Sequence, residues 1–258
     1  MFLSLVYVRA TGYFKKIHLH LGMQKNRGKN TGDDLLFGAE KQTGKLKMAT
    51  QDMHYLLSRG YAEKASSELT GNRYRLKTRQ IQAVRAASAS EIQIRTRADK
   101  ELQISALQST TVHLDGFNII IILESLLSGA YIFQGADGCL RDLSGVHGTY
   151  RKVNQTLRSI ELVAVFFQKS GASKLIWIFD RPVSNSGRIK QMVLDFAREN
   201  ELNWEAELEF NPDRFLVEHA DIAVSSDAWI LDHCRNWFNL AGYLIEEEKL
   251  DVNLVKMV

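Results

Sequence analysis

The chain is predicted to be an α/β protein, with a parallel sheet covered by helices on both faces and preceded by a small α-helical module. Three apolar runs each end on an aspartate: Val112-His-Leu-Asp115, Leu175-Ile-Trp-Ile-Phe-Asp180 and Ile222-Ala-Val-Ser-Ser-Asp227. Between them the hydrophobic spacing turns helical. Strands that alternate with helices form parallel sheets, because each crossover returns the chain to the same edge. Upstream, residues 50–87 show helical periodicity and no strand-like run.

Taken in order, residues 1–49 are expected to be a poorly ordered lead-in. The stretch 22–44 is rich in Lys, Gly, Asn and Thr, too polar to bury a core. Its one apolar spot, Leu35-Leu36-Phe37, is expected to dock on the next segment. Residues 50–106 form the helical module. Met53, Leu56 and Leu57 share a face and Arg59-Gly60 breaks the helix. A second helix covers 62–69 and stops at Gly71, and a third starts near Lys77 with Ile81, Val84 and Ala87 on one side. The polar, weakly periodic 88–106 marks the boundary. Residues 107–258 make the α/β domain. A buried strand starts at Thr111, and a helix begins near Gly148 and is completed by 159–169. A buried strand covers 174–180, and a helix covers 187–201 with Ile189, Met192, Val193 and Phe196 on one face. A half-exposed strand at 204–210, a turn at Asn211-Pro212, a short strand at 221–225 and a helix at 226–232 follow. The last six residues supply an edge strand.

A net charge of +3 is too mild to define a polyanionic partner. The distribution is uneven, however. From Gly71 to Lys100, eight basic residues (Arg73, Arg75, Lys77, Arg79, Arg85, Arg95, Arg97, Lys100) face two acidic ones, Glu91 and Asp99. Such clustering suits a phosphate-backbone contact surface and equally suits a solvated helix face. Cys139 and Cys234 stand far apart without metal-ligand spacing, so they are expected to be free and reduced, with no disulfide-linked partner. The apolar opening residues lack a basic lead and a cleavage signal. No apolar stretch reaches the ~18 residues that span a bilayer; the longest, 117–127, is interrupted by Asn118, Glu124 and Ser125. A cytoplasmic location without a membrane partner is expected.

If the three runs are neighbouring parallel strands, their carboxyl ends share the edge where open α/β sheets bind ligands. Asp115, Asp180 and Asp227 then converge. Such carboxylates repel one another unless a cation lies among them, and oxygen-only ligands suit Mg²⁺ or Mn²⁺. In His113-Leu-Asp-Gly-Phe-Asn118, Gly116 permits a bend that turns Asp115 and Asn118 toward the cleft; the alternative is that Asp115 caps the next helix. Asp180 is followed by Arg181-Pro-Val-Ser184-Asn185-Ser186-Gly187-Arg188. A loop of small polar residues opening a helix offers backbone donors to a phosphate, with Arg181 and Arg188 as countercharges. In the structural alternative, Ser186 caps the helix and Arg188 lies on the surface. Ser225 and Ser226, just before Asp227, are placed to hold a metal-bound water or a phosphate oxygen. Asp142 is either a helix cap or a fourth acidic ligand, and Asp137-Gly138 is a hairpin signal. Asp221 begins its strand and Asp232 lies roughly one and a half helical turns past Asp227, so neither is expected at the site. His113, His147, His219 and His233 form no ligand pair at helical spacing.

Carboxylates holding one or two divalent ions activate water and steady charge on a phosphodiester. The chain has neither Gly-x-x-x-x-Gly-Lys-[Ser/Thr] nor Gly-x-Gly-x-x-Gly, which argues against P-loop and dinucleotide enzymes. Phe117 stands where a haloacid-dehalogenase-type phosphatase needs its second aspartate.

Leu114-Asp-Gly-Phe-Asn118, the aspartate ending a middle strand and Ser225-Ser-Asp227 together resemble a PIN-like or NYN-like nuclease domain of Rossmann-like three-layer form. Leu57-Ser-Arg-Gly-Tyr61, Gly71-Asn-Arg-Tyr74, Asp137-Gly-Cys-Leu-Arg-Asp142, Val146-His-Gly-Thr-Tyr150, Asp180-Arg-Pro-Val-Ser-Asn-Ser-Gly-Arg188 and Trp237-Phe-Asn-Leu-Ala241 resemble the prokaryotic domain of unknown function 434 family, from about Asp33 to the C-terminus. Residues 1 to about 25 fall outside that resemblance, as an upstream start codon would explain. The PIN-like resemblance implies a metal-dependent ribonuclease with Asp115, Asp180 and Asp227 holding the metal and Asn118 assisting. Asp142 and Asp180 compete for the middle acidic position. The expectation is a Mg²⁺- or Mn²⁺-dependent endoribonuclease whose partner is RNA. The alternatives are a non-catalytic nucleic-acid-binding protein and a phosphohydrolase of small phosphorylated substrates. A homo-oligomer is compatible with the sequence.

Overall fold

Helical structure begins earlier than the hydrophobic periodicity suggests. The computed structural model describes residues 27–144, 150–247 and 249–258; most of the expected lead-in, His147 and the expected helix start near Gly148 lie outside them. A turn of π-helix at Asp34–Gly38 is followed by α1 (Glu40–Ser58), so the segment 40–49 is helical rather than lead-in. Its Lys-, Gln- and Thr-rich sequence hides this, because only Leu46, Ala49, Thr50 and Met53 of α1 are buried. Phe37 docks on the module as expected, in one core with Met53 and Val84, and also lies edge-on against Phe133 of the α/β domain with ring centroids 4.9 Å apart. Helix α2 (Glu63–Arg73) forms where expected but runs through Gly71 instead of stopping there, and α3 (Thr78–Ala87) follows the expected pattern. The supposed boundary then contains a fourth helix, α4 (Glu91–Lys100). Ser90 and Gln93 cap its start reciprocally, and its buried residue is Arg97. A helix whose inner face is charged leaves no apolar periodicity to read.

After a 3-10 turn at Ile104–Leu107, strand β1 (Thr111–Asp115) leads into α5 (Gly116–Leu127), a helix buried on nearly every side. Next come β2 (Tyr131–Gln134) and β3 (Leu140–Arg141), the hairpin that Asp137-Gly138 signalled. Helix α6 (Thr156–Ser170), β4 (Lys174–Asp180), α7 (Ser186–Glu199), β5 (Trp204–Glu209), α8 (Pro212–His219), β6 (Ile222–Val224), α9 (Ala228–His233), β7 (Asn236–Trp237), α10 (Leu240–Glu247) and β8 (Asn253–Lys256) complete the chain.

The main sheet has the order β5-β4-β1-β6-β7 with every pairing parallel. Along β4, Leu175, Trp177 and Phe179 enter the core shared with α5, α6 and α7, while Ile178 enters the core shared with α8 and α9. Burial on both faces is what a central strand between two helical layers requires. The order runs outward from β1 through β4 to β5 and then returns to β6. The switch point therefore lies between β1 and β6, where a doubly wound sheet opens a crevice at its carboxyl edge.

A second, three-stranded sheet of order β3-β2-β8 stands apart from the first, and the C-terminal strand is its edge. The helical module is seated on it. Phe37, Leu46, Met53 and Val84 form one core with Phe133, Val255 and Met257. Both cysteines are buried and free, and among the described residues no helix is long and apolar enough to cross a membrane.

Candidate active site at the switch point

Gly116 fixes how α5 leaves β1. A Cβ there would lie 2.4 Å from the Phe179 ring and 2.8 Å from the Ile178 carbonyl oxygen. The residue therefore serves close backbone approach more than a special bend. With α5 starting directly at the sheet edge, Asp115 is held 5% exposed, and its Oδ2 accepts a hydrogen bond from Ser225 Oγ at 2.7 Å. Ser225 Oγ in turn accepts from the Asp227 amide at 3.0 Å. Asn118 Oδ1 accepts from both the amide and the hydroxyl of Ser226, each at 2.9 Å. The junction after β1 is thus stitched to the loop after β6 across the switch point.

Asp227 caps α9 through Oδ1, which accepts from the Trp229 and Ile230 amides at 2.8 and 3.2 Å. Asp180 is half-buried at the end of β4, and burial raises its carboxyl above the ordinary carboxylate value. A fourth carboxylate, unread in the sequence, joins them: Asp213, in the first turn of α8. Burial, joined by the charges of Asp227 and Asp180, pushes its pKa up to about 6. Burial also drives Asp115 well above the ordinary value; the Ser225 hydrogen bond opposes this, while Asp213, Asp227 and Asp180 add to it. The three predicted aspartates therefore share one electrostatic neighbourhood with Asp213. The signal for Asp213 was present, since Asn211 as cap, Pro212 and then an acidic residue mark a helix start.

None of the four forms an ion pair among the described residues. Nor, among these residues, do three His, Cys, Asp or Glu side chains stand close enough to enclose an ion. Asp142 directly follows β3. Its Oδ2 accepts from Ser125 Oγ at 2.8 Å and from the Ser144 amide at 3.1 Å.

The loop after β4 is folded inward. The Ser184 carbonyl accepts from the Tyr150 amide, and Asn185, with φ +72°, donates its side-chain amide to the Tyr150 carbonyl. The Ser186 and Arg188 amides donate to Val183 and Asn185, so two donors that the phosphate reading relied on serve the turn itself. Ser186 makes no side-chain cap, Asn185 being the cap residue. Arg188 is exposed, and Arg181 donates to the Leu208 carbonyl while its guanidinium lies over the Phe210 ring.

The basic stretch of the module is largely neutralised. Arg73 pairs with Asp52, Arg79 with Asp33, Arg85 with Glu63, and Arg95 with Glu91. Arg97, 2% exposed, bridges Asp137 and Asp232, and Arg141 shares Asp137. The two arginines hold the Asp137 carboxyl down to about 2 against the effect of burial. Between module and sheet edge lies a cleft of about 460 Å³, lined by Arg85 and Arg97 on one side and by Asn118, Arg141, Asp142, Ser226 and Asp227 on the other, so that the predicted Asp142 shares it with Asp227.

A family model described as Domain of unknown function (DUF5616) matches residues 104–243. A second, Protein of unknown function (DUF434), matches residues 45–100. The motif resemblance across the chain thus divides between two families at the end of α4. The uncharacterized protein MJ0935 of Methanocaldococcus jannaschii is 24% identical over 186 residues, 72% of this chain and 88% of that protein. No solved structure matches.

Proposed function

The chain belongs to the Domain of unknown function (DUF5616) family, and on that footing we propose that it is a metal-dependent ribonuclease with a PIN-like catalytic domain. The observation that carries the reading is the group of four carboxylates, Asp115, Asp180, Asp213 and Asp227, within one another's fields at the switch point and without an ion-pair partner among the described residues, Arg141 being a more distant countercharge in the field of Asp227. Four carboxylates at this edge with so little countercharge fit a divalent cation. Mg²⁺ does not need a full protein cage, because it keeps several waters and binds through one or two carboxylates together with substrate phosphates. Asp115 and Asp227, linked through Ser225, are the residues that would hold it, with Asp180 and Asp213 in their fields and Asp142 in the lining of the cleft that Asp227 shares.

When bound, Mg²⁺ or Mn²⁺ supplies a nucleophilic water and charge neutralisation at a phosphodiester. The protein's part is orientation. Ser225 fixes the Asp115 carboxylate, Ser226 fixes Asn118, and the half-buried setting of Asp180 and Asp213 limits solvent screening of the phosphate. The test is cleavage of labelled single-stranded RNA in Mn²⁺ by wild type and Asp115→Asn, a change that leaves the Ser225 hydrogen bond an acceptor. Wild type is expected to cut, and the variant to lose roughly 100-fold or more, at the upper end of what weakened metal holding costs. Equal cleavage, or equal absence of it, sinks the reading.

A further inference from the structure

Two exposed aromatic residues adjoin the acidic group: Phe210 follows Glu209, the register partner of Asp180, and the Trp229 amide donates to Asp227. Phe210 directly follows β5 and is 72% exposed; Trp229 lies two residues beyond Asp227 and is 45% exposed. Single exposed aromatics need no explanation, but these two are placed and backed alike. The Arg181 guanidinium lies 4.8 Å from the Phe210 ring centroid. His233 stacks on Trp229 at 4.7 Å and 27°, itself tied to the Trp229 carbonyl at 2.7 Å. Each ring is therefore held in place by a polar group on one side while much of its surface stays open to solvent. In the sheet order β5-β4-β1-β6, the strands bearing Asp180 and Asp115 lie between β5, which Phe210 follows, and β6, whose following helix α9 carries Trp229. At about 4.8 Å per strand that order separates the flanking strands by about 14 Å, a span that a few unstacked nucleotides cover.

We propose that Phe210 and Trp229 are base-stacking platforms that seat a single-stranded nucleic acid across the carboxylates, one base on either side of the phosphate to be cut. The proposal takes its substrate class from the nuclease reading, but its test needs no cleavage. Stacking on a π-face is tolerant of sequence and requires unpaired bases, so the platforms select single strands over duplex. They also supply the affinity that the neutralised helical module does not. Arg181, which has no carboxylate partner among the described residues' ion pairs, adds a positive charge beside Phe210 for the backbone.

The experiment is fluorescence anisotropy of a short labelled oligouridylate, and of its duplex with oligoadenylate, with the full chain in EDTA. Phe210→Ala and Trp229→Ala are each expected to weaken single-strand binding roughly 5- to 150-fold, the effect of one lost base–aromatic stack. Trp229→Phe and Phe210→Tyr should bind within about threefold of wild type, and duplex binding should stay within about twofold throughout. Alanine variants that bind the single strand like wild type, equal losses on strand and duplex, or a wild type that prefers duplex would each overturn the proposal. Because EDTA removes turnover, platform-dependent binding without Mn²⁺ cleavage in the wild type would leave this inference standing and defeat the nuclease reading. Cleavage with indifferent platforms would do the reverse.

Discussion

Asp213 offers the most direct measure of whether the acidic group needs a cation. Its carboxyl is pushed from an ordinary 3.8 up to about 6 by burial and by Asp227 and Asp180. A folded-state pKa above the unfolded one means the associated stability is fully present below 3.8 and is lost as pH rises through about 6. The gap corresponds to about 3 kcal/mol at about 1.4 kcal/mol per pH unit. Half-exposure to solvent reduces this to about 1–1.5 kcal/mol. Asp213→Asn has the same shape and no charge. In EDTA it should therefore melt with wild type near pH 3.5 and about 2–6 °C above it at pH 7.5. Manganese should reverse the order: at about a hundredfold over Kd it stabilises the folded wild type by about 2.7 kcal/mol, and Asp213→Asn, with one fewer carboxylate, gains less. Thermal melts followed by circular dichroism across this pH range, with EDTA or Mn²⁺, make the comparison. A variant that melts below wild type in EDTA at pH 7.5, or whose offset is the same at both ends of the range, would refute the reasoning.

Two further perturbations test the frame around the site. Gly116→Ala puts a Cβ 2.4 Å from Phe179, and such overpacking costs about 1–3 kcal/mol; a thermal scan should show a drop of about 2–12 °C. Gly187→Ala, with nothing within 4 Å of the added Cβ, is the near-neutral control. Asp137→Asn removes the carboxylate shared by Arg97 and Arg141, and breaking a buried pair costs about 3–5 kcal/mol. Its urea midpoint should fall accordingly, with trypsin cutting between α4 and β1 at lower urea than in wild type.

The parts of the molecule written locally in the sequence were legible. Strand β4 ran from Lys174 to Asp180 as its apolar run indicated, and its alternating contacts with two cores explain why the run is unbroken. Asp115 and Asp180 could be placed because a strand's last residue must lie at the sheet edge, whereas Asp227 stands three residues past β6 as the cap of α9. Partners supplied from far along the chain were not legible. Strand β2 has four residues, β3 two, and β2 pairs with a strand at residues 253–256, so no local alternation announced the small sheet. The basic stretch stayed open between two readings for the same reason. A count of arginines does not show that Asp33, Asp52, Glu63, Asp137 and Asp232, scattered through the chain, come to meet them. Asp213 was hidden because a carboxylate after proline looks like a turn until the preceding strand is known to end at the same edge.

The buried arginine of α4 explains how a helical module with little free charge can still matter at the site. Arg97 donates from Nε to Asp232 and from Nη1 to Asp137, and its own carbonyl accepts the Trp237 indole N–H at 2.8 Å. These partners come from α9, the β2–β3 hairpin and β7, so one side chain ties the module to three separate elements of the α/β domain. Helix α9 is the one that Asp227 caps. A shift of the module is therefore a shift of the helix whose first turn holds a site carboxylate. Arg85 and Arg97 form one wall of the cleft that Asp227 and Asn118 line on the other, so the width of that opening is set by the same ion cluster. The module acts on the site by fixing a wall and a helix, a role that requires its charges to be paired.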